Sequence, residues 1–128
     1  MNDSPQLEGT QLNNFNPQSE PVTALEIIDI HEGDGELVPE GATITAHYTG
    51  ALVNSGVIFQ SSHDFGKPVT FPLSGVIQGW QVGVPGMKVG GTRRLIIPAE
   101  QAYGTQSPSA NIPANSDLVF DIELVEIN

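Results

Sequence analysis

Ten residues near the C-terminus, LVFDIELVEI (118–127), constrain this chain more than any other stretch. Leu118, Phe120, Ile122 and Leu124 fall on one face of an extended strand, and Asp121 and Glu123 fall on the other. A period of two with apolar and charged sides is the pattern of an antiparallel strand with one buried and one wet face. ATITAHYTG (42–50) repeats it, with Ile44, Ala46 and Tyr48 opposite Thr43, Thr45, His47 and Thr49. Further β-rich runs are VTALEIIDI (22–30), VIF (57–59), PVTFPL (68–73) and TRRLIIP (92–98), separated by turn clusters such as HEGDGE and NSG.

The apolar face of such a sheet needs a cover. A single helical stripe is available. Val76, Ile77, Trp80 and Val84 share one side of a helix over residues 76–84, with Ser74 as its N-cap. Gly79 and Gly83 weaken that helix by about 0.5–1 kcal/mol each relative to alanine, which points to close approach of neighbouring backbone. One short helix on an antiparallel sheet is an α+β fold, with Trp80 aimed at the concave side.

Composition narrows the function. Four Lys and Arg stand against 15 Asp and Glu, a net charge of −11, which repels nucleic-acid phosphates and anionic lipid. No apolar run is long enough for a membrane span. The chain has no cysteine, which removes disulfides, thiolate metal sites and a thiol nucleophile, and which suits a reducing compartment. Residues 1–21, rich in Asn, Gln and Pro, carry no positive charge and no apolar periodicity. They read as a flexible polar tail rather than a signal peptide, so the domain starts near Val22.

Metal and cofactor motifs fail on inspection. DIHEGDGELVPE (29–40) has acids at both ends of a calcium loop, but Asp34 stands where glycine is required and Gly33 where a ligand is. His31, His47 and His63 are scattered, and are expected to be surface or hydrogen-bonded rather than metal-ligating. The glycines of GVPGMKVGG fit no phosphate loop, and no serine sits in a nucleophile elbow.

What remains is a set of aromatics within recurring short motifs. HYTG (47–50), the F-x-S-S of 59–62, the V-I-x-G-W of 76–80, GMKVGG (86–91), AYG (102–104), the I-P of 112–113 and LVFDIELVEI, in this order and spacing, resemble the FKBP-type peptidyl-prolyl isomerases over residues 22–128. The resemblance implies a curved antiparallel half-barrel of five to six strands wrapped around one short helix. It implies Trp80 as the floor of a proline pocket, its ring lying open to solvent through a shallow cleft, and Tyr48, Phe59 and Phe120 as walls. Tyr103 would reach the substrate backbone with its hydroxyl, and these five residues would carry the catalysis. Phe71, Val76, Ile77 and Gln60 would contact substrate, the Ile77 N–H donating to a carbonyl, and Ile112 would close over it.

Proline-containing peptides and unfolded proteins are the implied partners, with macrolide inhibitors such as tacrolimus and rapamycin as possible ligands. A monomer in the cytoplasm, acting without a cofactor, is the expected form. Three departures bear on affinity. Gln60 replaces the family's usual aspartate, Val69 stands where another aromatic is common, and the Tyr103–Ile112 connection is one residue longer. A second reading, a non-catalytic module holding proline-containing partners, rests on Gln60.

Overall fold

A computed structural model describes residues 7–128. Six strands form one antiparallel sheet: β1 (Glu26–His31), β2 (Thr43–Leu52), β3 (Ile58–Ser61), β4 (Val69–Pro72), β5 (Thr92–Ile97) and β6 (Leu118–Ile127). The order is β1-β5-β6-β2-β3, and β4 also pairs with β2. β2 is therefore the hinge of the curvature. One edge takes β6 along its whole length, while the other is divided between β4 at Thr43–Ala46 and β3 at Thr49–Ala51. Opposite Thr45 and Ala46 the register skips Val125 of β6, and opposite Gly50 and Ala51 it skips Phe59 of β3, so both partner strands carry bulges, which bend a strand and add twist.

The α+β architecture expected from the two alternating strands and the single helical stripe is present. The sheet wraps around one helix, α1 (Gln78–Gly83). The helix is shorter than the stripe implied. Ile77 is its N-cap residue and offers no side-chain cap, and Ser74 sits in a separate short 3-10 turn, Leu73–Gly75. Trp80 and Val84 are buried against the sheet.

The glycines of α1 answer to side chains, not to backbone. A β-carbon at Gly79 would lie 2.6 Å from Ile97 Cγ2, and one at Gly83 would lie 2.7 Å from a methyl of Leu95. The helix can therefore lie flush on β5 only if both positions lack a side chain.

The main core lies between α1 and the concave face, where Ile44, Leu95, Ile97, Leu118 and Ile122 are fully enclosed. A second, smaller core lies on the convex face, and here the structure departs from the sequence reading. Residues 1–6 lie outside the described residues, but 7–21 form no free tail. The Gly9 N–H donates to Ile58 O, Ile58 N–H to Thr10 O and Leu12 N–H to Gly56 O, so the segment pairs along the edge at β3. It then crosses the convex face, burying Leu12 and Val22 with Ala51, Val53, Ile58, Ile96 and Val119. The face expected to be wet is in part dry, because a polar-looking segment covers it with a few apolar anchors.

Polar anchors hold the same segment. The Arg94 guanidinium, 7% exposed, donates to both Asp121 carboxylate oxygens at 2.7 and 2.8 Å and to the carbonyls of Asn14 and Asn13 at 2.7 and 2.9 Å. The Phe15 ring lies 5.6 Å from its central carbon. Asp117 accepts from Val22 N–H and Ala99 N–H, tying the end of the segment to the turn after β5.

Candidate functional site

The concave core opens at one end into a cavity of about 650 Å³. Its deep part is aromatic. Trp80, presented by α1, meets Phe71 of β4, Phe120 of β6 and Tyr48 of β2 with ring centroids at 5.2, 5.3 and 5.8 Å, all edge to face. Phe59 of β3 meets Phe120 at 5.7 Å in the same manner. The rings arrive from four strands and the helix because each stands at a concave-facing position of its element. Edge-to-face packing holds them without a flexible side chain between them, each pair contributing about 0.5–1.5 kcal/mol beyond the area it buries.

All ten residues singled out from the sequence line this one cavity. Trp80 is deeper than expected. Its ring is only 3% exposed, so it forms a recessed floor rather than one lying open to solvent. Its indole Nε1 is buried with no hydrogen-bond partner among the described residues. Val76 and Ile77, between the 3-10 turn and α1, are half-buried at the rim, and Ile77 N–H makes no hydrogen bond among the described residues. Gln60 is exposed at the edge.

Tyr103, 36% exposed, and Ile112, buried, come from the loop that follows β5. Ser107 Oγ lies 2.9 and 2.8 Å from the carbonyls of Ser109 and Ile112, with one hydrogen to donate between them, and a β-bridge joins Ser109 to Ile112, so this loop is folded on itself. Burial raises the Tyr48 pKa above the usual tyrosine value, and the neighbouring Tyr103 adds to the shift, so the Tyr48 hydroxyl stays neutral at pH 7.

Sequence reasoning did not name Gly75, Pro108, Ser109, Asn111 and Glu8, which also line the cavity. Pro108, Ser109 and Asn111 belong to the loop already marked by Tyr103 and Ile112. Glu8 comes from the segment read as a tail and carries no local signal. His47 and His63 differ from expectation too. They are hydrogen-bonded, to Ser62 Oγ at 2.8 Å and Glu123 Oε2 at 2.7 Å, yet they are not scattered, since their rings stack at 4.1 Å on the convex side.

The sequence profile of the FKBP-type peptidyl-prolyl cis-trans isomerases matches residues 35–125, which takes in β2 to β5, the helix of the cavity and most of β6. The chain belongs to the FKBP-type peptidyl-prolyl isomerase family. It is 43% identical over 114 residues to an FK506-binding protein of Streptomyces anulatus, an alignment covering 87% of this chain and 92% of that one. It is 47% identical over 89 residues to a peptidyl-prolyl cis-trans isomerase of Saccharomyces cerevisiae, covering 68% and 66%. Among solved structures, FkpA from Escherichia coli superposes with a TM-score of 0.74 at 37% identity, covering 91% of this chain and 53% of that one. The protein is thus an FKBP-type isomerase. No helix among the described residues is long and apolar enough to cross a membrane.

Proposed function

We propose that the cavity seats the prolyl ring of an exposed X–Pro segment against Trp80, with Tyr48, Phe59, Phe71 and Phe120 as walls. Ile77 N–H and the Tyr103 hydroxyl hold the peptide backbone, Val76 and Gln60 border it, and Ile112 covers it. The observation that carries this reading is the ring cluster around Trp80: a pocket with no charged group in its depth, and backbone and phenolic donors at its rim.

Rotation about an X–Pro bond faces a barrier of about 18–20 kcal/mol from amide resonance. The planar amide carries charge on its carbonyl oxygen, which water stabilises. The twisted state has lost resonance and is less polar. A pocket that strips water from the bond therefore favours the twisted state over the planar one, and differential binding of that kind lowers the barrier without covalent chemistry. No proton is transferred, so the pocket needs no titrating residue.

An isomerisation assay on short Leu-Pro and Phe-Pro peptides tests this. Acceleration over the uncatalysed rate is expected, and Tyr103→Phe should lower kcat/KM by about three- to tenfold, as the loss of one neutral hydrogen bond allows. A folded protein that accelerates no prolyl peptide would favour the second reading, a module that holds proline-containing partners, for which the uncharged Gln60 is the specific support.

Macrolide binding is proposed on the name of the Streptomyces relative, weakened here by Gln60 and Val69. We take the isomerase unit as 22–128, braced by 7–21, working as a monomer on unfolded clients. The cysteine-free composition supports a cytoplasmic setting.

A further inference from the structure

The N-terminal segment reaches the mouth of the cavity and leaves a charge there. The N–H groups of Leu7 and Glu8 donate to the two carboxylate oxygens of Asp64 at 2.8 and 3.0 Å, and Gly9 N–H is held by Ile58 O at 2.8 Å. Three consecutive backbone donors thus fix the Glu8 backbone beside the 3-10 turn Ser62–Phe65 that follows β3. From there the Glu8 side chain spans to the opposite bank, where its Oε2 accepts a 3.1 Å hydrogen bond from Asn111 Nδ2. Its other oxygen, Oε1, makes no hydrogen bond among the described residues.

The charge balance of the cavity makes this carboxylate conspicuous. Among the described residues that line it, Glu8 is the only Asp or Glu, and no Lys, Arg or His is present. Gln60 contributes an amide, and Tyr48 and Tyr103 contribute phenolic hydroxyls. The interior selects for an apolar prolyl ring without regard to charge. The mouth does not.

We propose that Glu8 is a specificity-determining residue, selecting X–Pro segments that carry Lys or Arg on a residue flanking the proline. A flanking side chain lies outside the aromatic pocket, at the level where Glu8 and Asn111 face each other. An ammonium or guanidinium there meets the free Oε1, while a carboxylate there meets a like charge. This rests on the cavity being the prolyl site.

The test compares kcat/KM for Ala-Lys-Pro-Phe and Ala-Glu-Pro-Phe, and for a second pair with the charge after the proline, in wild type, Glu8→Gln and Glu26→Gln. An exposed ion pair corresponds to about a two- to fivefold preference. Wild type should favour Lys by that factor in at least one pair, and the preference should shrink in 0.5 M salt, where the Debye length falls to a few ångströms. Glu8→Gln keeps an acceptor for Asn111 and should bring the ratio near one, while Glu26→Gln on the distant strand β1 should leave it unchanged.

The proposal fails if Glu8→Gln retains the wild-type ratio. It fails equally if Glu26→Gln lowers the ratio as much, since the net charge of −11 would then be the cause. A wild-type ratio of one in both pairs overturns it even if Glu8→Gln does not fold. Turnover without charge preference overturns only the role of Glu8, whereas inactivity on every peptide overturns the prolyl site together with it.

Discussion

On its concave side β6 sets Leu118, Phe120, Ile122 and Leu124 against the helix core, and on its convex side it sets Val119, Asp121 and Glu123 against a segment without regular structure or against histidines. The two faces of one strand are thus covered by different means. The concave cover is a continuous apolar surface in which each ring touches the next, and a cavity is left where the rings stop. The convex cover is a strap pinned at separate points: Leu12 and Val22 in a small aliphatic cluster, Asn13 and Asn14 on Arg94, Leu7 and Glu8 on Asp64. A continuous surface can hold a ligand-shaped pocket. A pinned strap holds only itself, but it can carry a side chain such as Glu8 to the rim of a site built by the other face.

Removing the central piece of each cover should separate the two. Trp80→Ala takes out the ring that three others pack around, and deleting a buried tryptophan costs about 3–5 kcal/mol. Urea denaturation should show that loss, and isomerase activity should fall below detection even at temperatures where the variant is folded. Retention of most activity in a folded Trp80→Ala protein would mean that the aromatic floor does not do the chemistry.

Arg94→Ala attacks the strap. It leaves the Asp121 carboxylate, paired at 2.7 Å, and the carbonyls of Asn13 and Asn14 without their donor. Stripping one member from a largely buried ion pair is costly because the remaining charge stays desolvated, here about 2–4 kcal/mol. The same denaturation experiment should show it. Yet kcat/KM on an uncharged Leu-Pro peptide should stay within about twofold of wild type, because no atom of Arg94 lines the cavity. A large drop in activity would mean that the two covers are coupled through the sheet.

The contrast also explains what could be read from residues alone. Tyr48 and Phe120 stood at inward positions of alternating strands and Trp80 in the single helical stripe, so each had both a period and a direction. The short motifs around them fixed the family resemblance. The strap has neither period nor motif. Leu12 is one apolar residue in a run of Asn and Gln, and its burial depends on Ala51, Val53 and Val119, which lie 39 or more residues away in the chain. Asp121 and Glu123 were placed on the outward face correctly, but no local pattern says that one would meet Arg94 and the other His63. The helix was overextended for a related reason: Val76 and Ile77 continue the apolar stripe, although the chain enters α1 through extended backbone at both.

The smallest expected effect is a difference in pH response between the faces. His47 on the convex side has its pKa lowered, first by burial, then by the stacked His63, with Glu123 acting in the opposite sense. In the unfolded chain His47 titrates near the ordinary value of about 6.5. Between that value and the lower folded one, the unfolded chain binds more protons, so stability contributed by neutral His47 is complete above the unfolded pKa and is lost as pH falls through the folded one. Acidification also relieves the repulsion within a chain of net charge −11, which works the other way, so wild type alone does not isolate the histidine. The informative quantity is the difference between wild type and His47→Gln in urea midpoint, measured from pH 8 to pH 5. That difference should shift against wild type below about pH 6.5, while kcat/KM on a Leu-Pro peptide stays flat, because no histidine lines the cavity among the described residues. If activity titrates together with stability, the convex histidines reach the prolyl site through β2. The two faces would then have to be treated as one system rather than as a pocket and its brace.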